Sequence, residues 1–69
     1  MSELVFLVEE APEGGYTARA LGESIFTEAD DWAALKRNIL DAVGCHYAGR
    51  SGAPRVIRLH WVKDEILAV

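Results

Sequence analysis

Five consecutive apolar residues, Leu4-Val5-Phe6-Leu7-Val8, constrain this chain more than any other feature. A strand that is apolar on both sides has to be covered on both, which places it in the middle of a sheet. Ala11-Pro12-Glu13-Gly14-Gly15 then supplies turn chemistry, with Pro presetting φ and Gly allowing positive φ. A second run, Tyr16 to Leu21, has strand length and follows directly, so the pair predicts a β-hairpin. Ser24-Ile25-Phe26-Thr27 predicts a short third strand. From about Asp31, Trp32, Leu35, Ile39, Val43 and Tyr47 recur at helical spacing, and Leu40 widens the stripe. Arg37, Asn38 and Asp41 fall on the opposite side, and Gly49 marks the expected helix end. Asp30 and Asp31 suit the N-terminal cap.

After the loop Arg50-Ser51-Gly52-Ala53-Pro54, alternation begins at Val56. Ile57, Leu59 and Trp61 point one way, Arg58 and His60 the other, as in a half-exposed strand. Lys63-Asp64-Glu65 interrupts it before a second apolar run, Ile66-Leu67-Ala68-Val69. Such a run predicts pairing with the chain's own sheet or with another subunit's edge. The order is β-β-β-α-β: an α+β domain over residues 1–69, an antiparallel sheet with one helix on one face. One helix leaves one sheet face uncovered, which predicts a dimer.

Sixty-nine residues bury only about 60% of the unfolded surface, so stability needs help from a staple, a metal or self-association. A single cysteine, Cys45, rules out an internal disulfide and fits a reducing compartment. The opening Met1-Ser2-Glu3 lacks a signal peptide's basic region. No apolar run approaches the roughly 18 residues of a membrane span. The expectation is a cytoplasmic protein with no membrane contact. Charge is uneven: residues 1–31 hold eight acids against Arg19 alone, while residues 32–69 hold six bases against three acids. An acidic half disfavours a polyphosphate backbone and favours a basic protein partner.

No reactive constellation emerges. Cys45, His46 and His60 lack zinc spacing, and adjacent helical positions point about 100° apart. The bland reading is a buried cysteine with two surface histidines. A Mg²⁺ site would need two or more of Glu9, Glu10, Glu13, Glu28, Asp30 and Asp31 to converge in a pocket, yet Glu9 and Glu10 face opposite sides of one strand and Asp30 and Asp31 suit the helix cap. Ser24 has no base at a recognised spacing, and no Lys or Ser/Thr follows Gly14-Gly15 as in a phosphate loop. Trp61 shares the face of Ile57 and Leu59, which favours core or interface over stacking on a nucleobase. No catalytic residue, metal or cofactor is expected.

The run Val8-Glu9-Glu10-Ala11-Pro12-Glu13-Gly14-Gly15-Tyr16-Thr17-Ala18-Arg19-Ala20-Leu21 resembles the opening hairpin of the HicB-like antitoxin family. Thr27-Glu28-Ala29-Asp30-Asp31 resembles that family's step into its helix. The stretch Ile57 to Val69 is similar to short, stand-alone members. The resemblance implies a truncated ribonuclease-H-like sheet with one helix, assembled as dimers or tetramers. It also implies that the chain binds and masks a small basic mRNA-cleaving toxin. The sequence stops where such proteins often continue into a DNA-binding domain, so direct DNA binding is not expected. Ala20-Leu21-Gly22-Glu23-Ser24-Ile25-Phe26 stands where the family commonly carries a Pro and Gly-Cys stretch.

Two functional readings follow. In the first, the chain is a HicB-like antitoxin or an orphan relative, and Glu9, Glu10 and Glu13 meet the basic partner. In the second, it is a self-assembling accessory protein without a toxin, a homodimer or higher homo-oligomer joined through Trp61, Ile66, Leu67 and Val69. A remnant metal-dependent nuclease is the enzymatic alternative to both.

Overall fold

The computed structural model describes residues 2–69. It contains β1 (Glu3–Glu10), β2 (Tyr16–Ala20), β3 (Phe26–Ala29), α1 (Trp32–His46) and β4 (Val56–Val62), the expected β-β-β-α-β order. β1 and β2 form the hairpin, with Phe6 opposite Ala20 and Glu10 opposite Tyr16. Its turn is closed by the Ala11 N–H donating to the Gly15 carbonyl and the Gly14 N–H donating to the Ala11 carbonyl, both at 3.0 Å. Gly15 is required there twice over. Its φ is +83°, and a Cβ would lie 2.7 Å from the Ala29 carbonyl oxygen.

The third strand lies two residues later than its expected Ser24–Thr27 span. Ile25 instead turns into the core, at 7% exposure, and its carbonyl accepts the Ala20 N–H at 2.9 Å. The Asp31 side chain caps α1 by accepting the Ala34 N–H at 2.8 Å. Asp30 has no capping role and is exposed. The helix ends at His46, three residues before Gly49, which closes the turns that follow at φ 73°.

The sheet order is β3-β2-β1-β4. It is mixed, where antiparallel pairing throughout was expected. β2 is antiparallel to β1 and β3, but β4 runs parallel to β1, from Glu3 opposite Val56 to Glu9 opposite Val62. The cause is topological: α1 carries the chain back along the sheet, so β4 starts from the same end as β1. β1 is therefore central, as its double apolarity implied.

Leu4, Phe6 and Val8 of β1 meet Ala18 and Ala20 of β2, Ile25, and Leu35, Ile39 and Val43 of α1 in one core. Phe6, Val8 and Leu35 are 0% exposed. The helix is off-centre, over β2 and β3; none of its Cα atoms comes within 8 Å of one in β1 or β4. Ala18 and Ala20 let the helix backbone approach β2, and Phe6 fills the wedge beside it. The amide of Asn38, expected on the solvent side, donates to the Glu28 carbonyl at 3.0 Å and ties α1 to β3. Leu40 does not join the buried stripe and remains 62% exposed, because no helix lies over β4.

On the opposite sheet face, Val5 and Leu7 are half-buried and Phe26 and Val56 exposed. The Arg58 guanidinium there donates to Glu3 Oε2 at 2.7 Å. No helix is long and apolar enough to cross a membrane.

Candidate functional site

The strand directions decide what gathers at each end of the sheet. β1, β3 and β4 all finish at the end where the β1–β2 turn lies and where α1 begins. Glu9 and Glu10 from β1, Glu13 from the turn, Glu28 and Asp30 from the end of β3, Asp31 from the cap and Asp64 after β4 are consequently brought to one pole. All seven are exposed. None is ion-paired among the described residues. An open depression of about 550 Å³ runs across the pole between the turn and the helix start, lined by Tyr16, Glu28, Asp30, Asp31 and Asn38 among others. A second, of about 230 Å³, lies between Glu9, Glu10, Pro12 and the Val62-Lys63-Asp64 stretch.

Beneath this acidic rim sits an aromatic cluster. Tyr16 packs edge-on against Trp32 at 5.4 Å between ring centroids and against Trp61 at 6.0 Å. Trp32 and Trp61 are 5.0 Å apart and tilted by 35°. Such arrangements follow the ring quadrupoles and add to the area they bury. They join β2, α1 and β4 at the pole where α1 begins. The Lys63 ammonium lies 5.7 Å from the Trp61 centroid, so that ring already presents a face to a cation. Trp61 itself remains 44% exposed.

A second group lies at the other end of α1. Ser24, Cys45 and His46 line one shallow depression with Ile25, Phe26 and Ala42. His46 Nε2 is 3.0 Å from Glu23 Oε1. Cys45, expected to be buried, is exposed. It lies two residues past Val43, about 200° around the helix from the buried stripe. Neither its thiol nor the Ser24 hydroxyl is hydrogen-bonded to the imidazole among the described residues. His60 is exposed on β4. Among the described residues no three His, Cys, Asp or Glu side chains are grouped to hold a metal ion.

Over almost its whole length the sequence is similar to a UPF0150 protein of Thermotoga maritima, at 42% identity over 67 residues, 97% of this chain and 93% of that one. The chain belongs to the UPF0150 family. A UPF0150 protein of Archaeoglobus fulgidus is 57% identical over 44 residues, covering 64% of this chain and 65% of that protein. No family model matches the sequence. No solved structure matches it either.

In this UPF0150 member the residues singled out from sequence fall into two places. Glu9, Glu10 and Glu13 stand together at the acidic pole. Trp61 belongs to the aromatic cluster at that same pole, apart from Ile66, Leu67 and Val69, which are almost wholly exposed beyond β4. Glu28, Asp30 and Tyr16 were not among the residues singled out for the pole. Their place follows from strand direction and pairing, since Tyr16 sits opposite Ala29 and so brings the end of β3 alongside the turn.

Proposed function

We propose that this UPF0150 chain is a cytoplasmic protein-binding module of the HicB-like antitoxin type, and that its acidic pole masks a small basic mRNA-cleaving toxin. It binds without catalysing and makes no direct contact with DNA. One observation carries this reading: exposed carboxylates from five stretches of the chain converge on one end of the sheet, none of them ion-paired among the described residues. A surface dominated by one charge sign steers a partner of the opposite sign and disfavours nucleic acid. The depression across the pole offers concave ground for a Lys or Arg side chain. The resemblance in hairpin and helix entry supplies the chemical class of the partner.

The test is affinity capture of the tagged chain from its native host, with the stoichiometric partner identified by mass spectrometry. A small basic protein recovered one-to-one is expected. Replacing Glu9, Glu10 and Glu13 together by Lys is then expected to weaken its binding by at least about tenfold, roughly 1.4 kcal/mol. Unchanged affinity would remove the pole as the binding surface. The self-assembly reading rests on a different part of the molecule, the apolar segment beyond β4.

A further inference from the structure

We infer that Ile66–Val69 is an exchange arm: it docks in the groove between α1 and β4 of a second copy of this chain, and receives that copy's arm in return. The arm is visible as an outlier in shape. The molecule measures 52 × 23 × 18 Å with a radius of gyration of 13.5 Å, against about 11 Å for a compact chain of this length. Seven extended residues after Val62 reach about 23 Å, enough to account for the elongation. The stretch Lys63–Val69 belongs to no strand or helix, and Ile66, Leu67 and Val69 are almost wholly exposed. An apolar run held in water this way is an unfinished contact.

The receiving surface is on the same chain. Because α1 sits over β2 and β3, a groove of about 150 Å³ opens between it and β4, lined by Lys36, Ile39, Leu40, Ile57 and Leu59. All but one of those side chains are aliphatic, and the volume suits one or two aliphatic side chains of an incoming segment. The charges match as well. Asp64 and Glu65 immediately precede the apolar arm, and Lys36 stands at the groove. β4 is also an edge strand with unpaired backbone groups, so an extended arm can add hydrogen bonds along it. Reciprocal exchange, with each copy's arm in the other's groove, makes the pair two-fold and closes it as a dimer, whereas an arm passed on to a third copy would propagate head to tail. This inference does not depend on the acidic pole having a toxin partner.

The experiment is sedimentation velocity on the purified chain, with two variants and one crosslink. The intact chain is expected to run as a dimer, at twice 7.6 kDa. Ile66→Asp with Leu67→Asp is expected to weaken the dimer at least tenfold. Leu40→Glu is expected to do the same from the groove side, and Leu40 is exposed enough that folding, checked by circular dichroism, survives. In a Cys45→Ser background, Leu40→Cys with Leu67→Cys is expected to oxidise to a covalent dimer. A monomer bridged within one chain would show the arm folding back on its own groove and overturn the exchange. A dimer indifferent to both sets of substitutions would place the contact on another face and overturn it too, as would a monomeric intact chain.

Discussion

The two halves of the helix-side sheet face are built by opposite rules. Under α1, β2 offers Ala18 and Ala20, which are 0% and 7% exposed. Toward β4 it offers Ile57, Leu59 and Trp61, far larger and more apolar, yet Ile57 and Leu59 are only half-buried and Trp61 is exposed. Hydrophobicity alone would place the helix over β4. Side-chain size places it over β2, because only there can the helix backbone come close enough for Leu35, Ile39 and Val43 to reach the sheet. The same choice that seals one half leaves the other with a groove and an exposed leucine. A chain this small can close one half of its sheet with one helix, and the half it leaves open is where a partner has most to gain.

The largest test of that contrast compares neighbours on β1. Phe6, on the helix side of the sheet, is 0% exposed, while Leu7 faces the other way and is half-buried. Phe6→Ala is expected to cost about 3–5 kcal/mol, most of the stability of a 69-residue domain, and Leu7→Ala about 1 kcal/mol. Urea titration of both variants measures the gap. Equal losses would mean that the opposite face is as well covered as the core, which requires a second molecule there.

A smaller effect tests why the helix sits where it does. Ala18→Leu adds a branched side chain beneath α1, where no space exists, and is expected to cost about 2 kcal/mol, lowering Tm by roughly 8–16 °C. The same enlargement would be tolerated if the helix were free to slide toward β4. A thermal melt showing no loss would mean that Ala18 does not set the helix position.

Much of this was legible in the residues. Apolar pattern located β1, α1 and β4, and the Pro12-Glu13-Gly14-Gly15 turn located β2, whose five residues carry little pattern of their own. β3 slipped by two residues because Ile25 reads equally well as a strand residue and as a core plug. The parallel pairing of β4 was not legible, since alternation in Ile57-Arg58-Leu59-His60-Trp61 says which way side chains point but not which way the strand runs. Cys45 reads as buried because Val43 and Tyr47 of the apolar stripe flank it two residues away, whereas its rotation around α1 turns it outward. At the acidic pole, Glu9, Glu10 and Glu13 are visible as a run. Glu28 and Asp30 join them only once β3 is paired with β2, and pairing is a long-range property that local pattern does not carry.

The smallest expected effect comes from the one ion pair that crosses from β4 to β1. Arg58 reaches Glu3 Oε2 through two nitrogens at 2.7 Å, but the two side chains are 65% and 22% exposed. Water competes for the guanidinium, and fixing a long side chain offsets much of the attraction, so Arg58→Ala is expected to cost about 0.5 kcal/mol. Raising salt to about 1 M shortens the screening length to about 3 Å and should erase most of the difference between the two proteins. Arg58 lies on the face away from α1, beside Val5 and Leu7, where it is exposed among the described residues. If the loss instead approached 2 kcal/mol and resisted salt, the pair would have to be buried in the native assembly. That face would then be an interface too, and the open half of the helix side would no longer be the place where a second copy has most to gain.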